Sequence, residues 1–193
     1  MKDFTADICS YLEKLKNVID KLNTSELNQF LGLLCEAREK EKQIFIMGNG
    51  GSAATASHFC NDFNKGASYE FKDRKRFKFI CLNDNVSTLT AYANDVSYSD
   101  VFVEPLKNFF NSGDMVIGIS GSGNSENVVK AIDYANANNG ITIALTGYDG
   151  GKLKKIAGYS VHVSVDDMQI VEDLHMMVDH LCMKIIYNNA GTI

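Results

Sequence analysis

Histidine and carboxylate side chains recur at helical spacing in two segments of the chain. His58 and Asp62 are four residues apart, so they lie on one face of a predicted helix. Glu172 and His180 are eight residues apart, about 80° round a second helix, and share a broad face. Imidazoles and carboxylates so placed can bind zinc or transfer protons as general acid and base. An ordinary surface role explains each pair as well, because the sequence does not bring the two helices together.

Two turns rich in glycine and serine each follow a run of apolar residues. The first is Gly48-Asn49-Gly50-Gly51-Ser52, after residues 44–47, and the second is Ser120-Gly121-Ser122-Gly123-Asn124-Ser125, after residues 115–119. Glycines let backbone N–H groups approach an anion, serine hydroxyls add donors, and the start of the following helix attracts negative charge. Two such turns predict a ligand with a phosphate at one end and hydroxyls elsewhere, such as a phosphorylated sugar.

Other phosphate-binding and catalytic patterns do not match these turns. No Gly-Lys-Ser/Thr follows the first turn, which also lacks the third glycine of the dinucleotide-binding motif. The second turn departs from the Gly-x-Ser-x-Gly pattern of serine hydrolases. The sequence therefore disfavours a nucleotide-binding site and a serine nucleophile.

Composition limits the partners that the chain can have. The 193 residues carry a net charge of −5, and the one basic cluster, residues 72–76, is interrupted by an aspartate. Nucleic-acid binding needs clustered Lys and Arg. The five cysteines form no Cys-x-x-Cys pair, and no leader or apolar stretch of membrane length is visible. We expect a cytoplasmic protein with buried, reduced thiols and without a nucleic-acid or membrane partner.

The apolar pattern predicts an α/β fold in one domain over residues 1–193. Residues 1–40 read as two helices, and residues 41–193 alternate between strands and helices. The predicted strands are 43–48, 77–82, 115–120, 141–147 and 159–165, and most are continuous apolar runs typical of a parallel sheet buried on both faces. A doubly wound, five-stranded parallel sheet flanked by helices follows. The apolar stripe of the first helix can cover this core or pack against another subunit.

Several motifs, in order along nearly the whole chain, resemble the sugar isomerase (SIS) domain and its phosphoheptose isomerase branch. They are Gly48-Asn49-Gly50-Gly51-Ser52-Ala53-Ala54 with His58-Phe59, residues 82–91, Ala93-Asn94-Asp95, residues 117–120 with 122–125, and residues 144–147 with 149–153. One glycine turn alone would not be specific, whereas several motifs in register are.

The resemblance implies a cytosolic homotetramer with active sites between subunits. It also implies ketose–aldose isomerisation through an enediol, converting sedoheptulose 7-phosphate to D-glycero-D-manno-heptose 7-phosphate for nucleotide-activated heptose and surface polysaccharide. The implied cofactor is one zinc ion per subunit, with His58, Asp62, Glu172 and His180 as its ligands. Asp62, Glu172 and His180 take the acid–base roles.

The implied substrate-binding residues belong to the two turns, to the end of the second strand and to the last helix. Those holding phosphate are Ser120, Ser122 and Ser125, and those holding sugar hydroxyls are Asn49, Gly50, Gly51 and Ser52. The others are Asp84, Asn85, Gly121 and Glu172.

The chain departs from the family pattern mainly around the sugar. Asp62 stands where the family usually has Glu, and Glu172 where it has Gln. Asn85, Gly121 and Gln169 replace a usual Asp, Thr and acidic residue, and Lys65-Gly66 falls where Gly-Arg is common. Two alternatives therefore stay open: an isomerase of another sugar phosphate, and a non-catalytic SIS module that binds a phosphosugar or a protein partner.

Overall fold

A parallel five-stranded sheet forms the centre of the computed structural model, which describes residues 2–69 and 75–191. The strand order is β2-β1-β3-β4-β5. Every pair of neighbours in the sheet is parallel, as the sequence predicts. Most of the basic cluster, residues 72–74, lies outside the described residues. The strands are Gln43–Met47 (β1), Lys78–Cys81 (β2), Met115–Ser120 (β3), Ile141–Thr146 (β4) and Tyr159–His162 (β5).

Helices cover both faces of this sheet. Alternate residues of β1 point into two separate cores: Ile44 and Ile46 pack on one face, and Phe45 and Met47 on the other. This confirms the doubly wound α/β fold. The helices are Thr5–Ile19 (α1), Thr24–Glu39 (α2), Gly51–Asn61 (α3), Val86–Asp95 (α4), Val103–Phe109 (α5), Glu126–Ala137 (α6), Gly151–Ile156 (α7) and Met168–Asn188 (α8). A short 3₁₀ turn spans Tyr98–Asp100.

The strand order brings the two glycine-serine turns together. The winding of the sheet reverses between β1 and β3, which pair directly with Met47 opposite Gly118. In open parallel sheets such a reversal leaves a crevice beyond the carboxyl ends of the strands. The first turn follows β1 and the second follows β3, so both lie at this crevice.

Each turn is anchored to a neighbouring segment. The Asn83 side chain, just after β2, donates to Gly48 O at 2.8 Å and accepts from Gly48 N at 3.2 Å. In the second turn Gly123 has φ +66° and lies so close to Gly150 that a Cβ would be 2.0 Å from the Gly150 carbonyl oxygen. Leu153 N donates to Gly123 O at 2.8 Å. The site is therefore built on turns with little freedom to move.

The helix predicted to carry His58 and Asp62 changes its winding near its end. After Asn61 the chain forms a π-helical turn, Asp62–Ala67. The Phe63 ring stacks on Phe59 and Phe79, with centroids 5.8 and 4.8 Å away. The Ser68 hydroxyl donates to Phe63 O at 2.7 Å. These contacts hold the wider turn, which sequence periodicity does not reveal and which begins at a predicted site residue.

Helix α1 packs on the core only near its end, where Leu15 and Val18 lie against a buried cluster that includes Ile170 and Leu174 of α8. None of the described residues of α1 is buried. Ile8 and Leu12 of its apolar stripe, and Phe4 just before it, are each more than half exposed. The prediction of buried thiols holds for Cys60 and Cys182 but is wrong for Cys9, because Cys9 lies on this exposed helix. Of the helices within residues 2–69 and 75–191, none combines the length and apolar character needed to cross a membrane.

Replacing Gly123 by alanine tests the anchoring of the second turn. We expect Gly123→Ala to lower the free energy of unfolding by about 2–5 kcal/mol, since the new Cβ meets backbone atoms and the φ angle is unfavourable for alanine. Urea unfolding measures this change. Gly32→Ala is the control: nothing lies within 4 Å of its Cβ position, so stability should be unchanged or rise by up to about 1 kcal/mol. A Gly123→Ala variant as stable as the parent would contradict the anchoring.

His175 gives the fold an expected sensitivity to acid. Burial in α8 lowers the pKa of its imidazole from 6.5 to about 4. The unfolded chain therefore binds this proton more readily than the folded one, so protonation lowers the free energy of unfolding. The free energy of unfolding is not reduced above pH 6.5, and the loss grows as the pH falls towards 4. The loss is on the order of 3 kcal/mol. Unfolding free energies of the parent and His175→Gln between pH 7 and 4 measure it. The free energy of unfolding of the parent should fall relative to that of His175→Gln by this amount between pH 7 and 4, because other titrating groups, including the buried Asp179, contribute equally to both proteins.

Candidate functional site

A cavity of about 280 Å³ lies between the two turns at the β1–β3 crevice. The turns provide most of its lining, and the start of α8 closes one side. The predicted binding residues that line it are Asn49, Gly50, Gly51, Ser52, Ser120, Gly121, Ser122, Ser125 and Glu172. Residues distant in sequence thus meet in one place, as parallel pairing of β1 with β3 requires.

The second turn presents hydroxyl groups at the start of α6. Ser120 Oγ lies 3.0 Å from Ser125 Oγ, and Ser122 Oγ accepts a bond from Asn124 N at 3.2 Å. Ser125 is the residue that precedes the first turn of this twelve-residue helix. Free N–H groups and the helix dipole make such an end attractive to an anion. The turn has the donors that a phosphate needs.

Asn49 of the first turn is held by polar side chains from two other elements. Its amide pairs with that of Asn127, with two bonds of 2.9 Å, and Asn49 Oδ1 also accepts from Tyr98 Oη at 2.7 Å. Gly50 follows with φ +55°, a conformation that glycine adopts without strain. This network fixes the first turn and the start of α3 relative to α6.

Glu172 reaches from α8 to the start of α3. A Cβ at Gly51 would lie 2.5 Å from both carboxylate oxygens, so the carboxylate lies directly against the backbone there. The N-terminal end of a helix stabilises a carboxylate. Glu172 therefore places a negative charge at the α3 end of the cavity.

A second group of side chains lies farther along α3 and α8. His58 Nε2 is 3.0 Å from His180 Nε2 and 3.6 Å from Asp62 Oδ1, and His180 Nε2 is 4.0 Å from Asp62 Oδ2. The structure thus brings together the two helices that the sequence left apart. Asp179 completes this group, whose four donor atoms all lie within 4.8 Å of one another. We call His58, Asp62, Asp179 and His180 the His-Asp group.

Glu172, predicted as a metal ligand with His180, does not belong to the His-Asp group. Eight residues of α8 separate the two, a rise of about 12 Å along the helix. The same offset appears on α3, where six residues, about 9 Å, separate Ser52 from His58. Both helices begin at the cavity, so the predicted site divides into a cavity and a His-Asp group about 9–12 Å away along the same helices.

Asp179 is the member of the group to which sequence reasoning assigned no role. Its side chain is fully buried, and burial together with the nearby Asp62 carboxylate raises its pKa to about 8. In the sequence, Asp179 adjoins His180, and only the packing of α8 on α3 distinguishes it from the exposed Asp173 of the same helix.

Two predicted residues, Asp84 and Asn85, lie apart from the cavity, whereas Gly121 lines it. Asp84 and Asn85 are exposed and do not line the cavity, and Asn85 Oδ1 accepts from Thr88 N at 3.1 Å as the cap of α4. A Cβ at Gly121 would lie 2.5 Å from Met168 Sδ. The methionine thus fills the space that a larger residue at 121 would occupy.

Comparison with known proteins agrees with this arrangement. The SIS domain family matches residues 9–147. The phosphoheptose isomerase of Helicobacter pylori (strain P12) is 37% identical over 91% of this chain and 89% of its own. A probable phosphoheptose isomerase of Thermoplasma acidophilum is 36% identical over 93% and 97%. The structure of phosphoheptose isomerase GmhA from Neisseria gonorrhoeae superposes with a TM-score of 0.87 at 26% identity, covering 96% of this chain and all of that one. The chain belongs to the SIS domain family, in its phosphoheptose isomerase branch.

Proposed function

We propose that the protein is a phosphosugar ketose–aldose isomerase that converts sedoheptulose 7-phosphate to D-glycero-D-manno-heptose 7-phosphate. The observation that carries this proposal is the single cavity in which both turns meet Glu172. Its relatives named phosphoheptose isomerase match nearly the full length of the chain and support the choice of substrate.

The charges around the cavity favour one orientation of the substrate. The start of α6 offers hydroxyls and N–H groups, whereas the start of α3 already faces the Glu172 carboxylate. A phosphate dianion would be repelled by that carboxylate, so it belongs at Ser120, Ser122 and Ser125. The sugar then extends towards Glu172, where Asn49, Gly50, Gly51 and Ser52 are in reach of its hydroxyls.

Isomerisation requires proton transfers but no external oxidant or reductant. A base takes a proton from carbon 1 of the ketose to give an enediol, and a proton is returned to carbon 2. A second proton passes from the oxygen on carbon 1 to that on carbon 2. Glu172 is the carboxylate closest to the sugar end of the cavity, and His180 and Asp62 form an imidazole–carboxylate pair farther along the helices. We assign the acid–base roles to these three side chains.

The His-Asp group fits a divalent cation, for which we propose zinc, one per subunit. Two imidazoles and carboxylate oxygens are donors that zinc accepts, and they already lie within 4.8 Å of one another. Bound zinc would polarise an oxygen of the sugar and stabilise negative charge on it.

The proposal includes the domain organisation of the protein, its location, its assembly and the use of its product. We propose one domain over residues 1–193, a cytoplasmic homotetramer with active sites between subunits, and a product used for nucleotide-activated heptose. Exposure of Phe4, Ile8 and Leu12 on α1 supports a subunit contact there. Asp84 and Asn85, exposed in the single chain, remain proposed substrate ligands in such an assembly.

Isomerisation of sedoheptulose 7-phosphate by the purified protein tests the function. We expect NMR to show formation of a heptose 7-phosphate, faster with zinc than after chelation. No turnover in either condition, with binding of the sugar phosphate retained, would contradict the isomerase and favour a non-catalytic phosphosugar-binding module. Turnover of another ketose phosphate alone would correct the substrate.

Two single substitutions should separate binding from chemistry. Ser122→Ala removes a hydroxyl donor to phosphate and should raise the Kd for sugar phosphate about 10- to 100-fold. His180→Ala should abolish turnover while leaving the Kd within a few-fold. Calorimetry measures the Kd and NMR the turnover. Ser112→Ala, in the turn before β3 and so at the other end of that strand from the cavity, is the matched control and should change neither. Equal loss of binding in Ser122→Ala and His180→Ala would contradict this division of roles.

A further inference from the structure

Asp179 is a buried carboxylate with no hydrogen-bond partner in the described part of the chain. The side chain is 0% exposed, and neither carboxylate oxygen has a hydrogen-bond partner among the described residues. Buried polar groups in folded proteins are almost always paired, because an unpaired charge is costly to bury. A group outside the polypeptide that pairs with Asp179 would remove this cost.

The surroundings of Asp179 supply donor atoms for a cation rather than a positive charge. Asp62 is a second carboxylate, and its Oδ1 accepts a single bond from Asn61 Nδ2 at 3.1 Å. The Nε2 atoms of His58 and His180 face each other at 3.0 Å. Two carboxylates that bind a cation as anions bring two negative charges, which one divalent cation neutralises.

The spacing of these donors fits a single ion. Zinc bonds of 2.0–2.2 Å in a tetrahedral site place the donor atoms about 3.3–3.6 Å apart. The separations of His58, Asp62 and His180 are 3.0, 3.6 and 4.0 Å, and the Asp179 oxygen lies within 4.8 Å of all of them. Small movements of side chains are enough to close such a site.

We propose that Asp179 is a direct ligand of the cation held by His58, Asp62 and His180, and that Glu172 is not. This rests on the proposed function only in using the same cation site. The ligand set is then two histidines and two aspartates from α3, the π-helical turn after it and α8. A site at the junction of these segments also fixes the two helices that carry the cavity.

The assignment gives Glu172 a different task. Its carboxylate lies against Gly51 at the start of α3, about 12 Å along α8 from His180. With Asp179 bound to the cation, Glu172 stays in the cavity as a free carboxylate facing the sugar. On this assignment Asp179 is the second carboxylate of the cation site, and Glu172 is the carboxylate of the cavity.

Zinc binding by matched variants tests this assignment. Asp179→Asn keeps the shape of the side chain but removes its charge, and we expect it to weaken zinc binding at least about 100-fold. Zinc per chain by elemental analysis and Kd by competition with a chelator are the readouts. Glu172→Gln and Asp173→Asn, on the same helix, should bind zinc as the parent does.

Three results would overturn the proposal: zinc binding by Asp179→Asn equal to the parent, loss of zinc in Glu172→Gln, or a parent that binds no divalent cation. If Asp179→Asn does not fold, ¹³C NMR of the parent decides, since zinc should shift the Asp179 carboxylate resonance and leave that of Glu172 in place. Isomerisation is scored separately. A parent that binds zinc through Asp179 without isomerising sedoheptulose 7-phosphate would refute the proposed function and leave the ligand assignment standing.

Discussion

Parallel pairing of β1 with β3 is the constraint on which the site depends. These strands are separated by more than sixty residues of chain, yet their pairing sets Met47 opposite Gly118 and so brings the ends of both strands to one crevice. The residues that we assign to the phosphate, and Asn49, Gly50, Gly51 and Ser52 that we assign to the sugar, lie at the turns that leave these two strands. A shift of register would separate the turns and remove the cavity.

The second constraint is the packing of α8 along α3. Both helices start at the cavity and run away from it, so each carries a cavity residue near its start and a histidine farther on. This packing places the proposed anion site, made of backbone and hydroxyl donors, and the proposed cation site, made of imidazoles and carboxylates, in one SIS domain.

Most of the fold could be predicted from the sequence, because buried parallel strands are continuous apolar runs. The two turns were recognisable because glycine and serine at strand ends have a direct physical use. The π-helical turn from Asp62 was not, since it depends on phenylalanine stacking with Phe79, which comes from another element. The ligand role proposed for Asp179 was hidden for a related reason: burial against α3, rather than local sequence, separates it from exposed carboxylates of the same helix.

The most direct test of a shared site for both turns and both helices is a crystal structure of the zinc-loaded protein with sedoheptulose 7-phosphate. We predict phosphate density at Ser120, Ser122 and Ser125, the reacting carbons on the side of Glu172, and an anomalous zinc peak at the His-Asp group. Phosphate bound at the start of α3 with Glu172 displaced, or a sugar phosphate bound away from the β1–β3 crevice, would contradict the account.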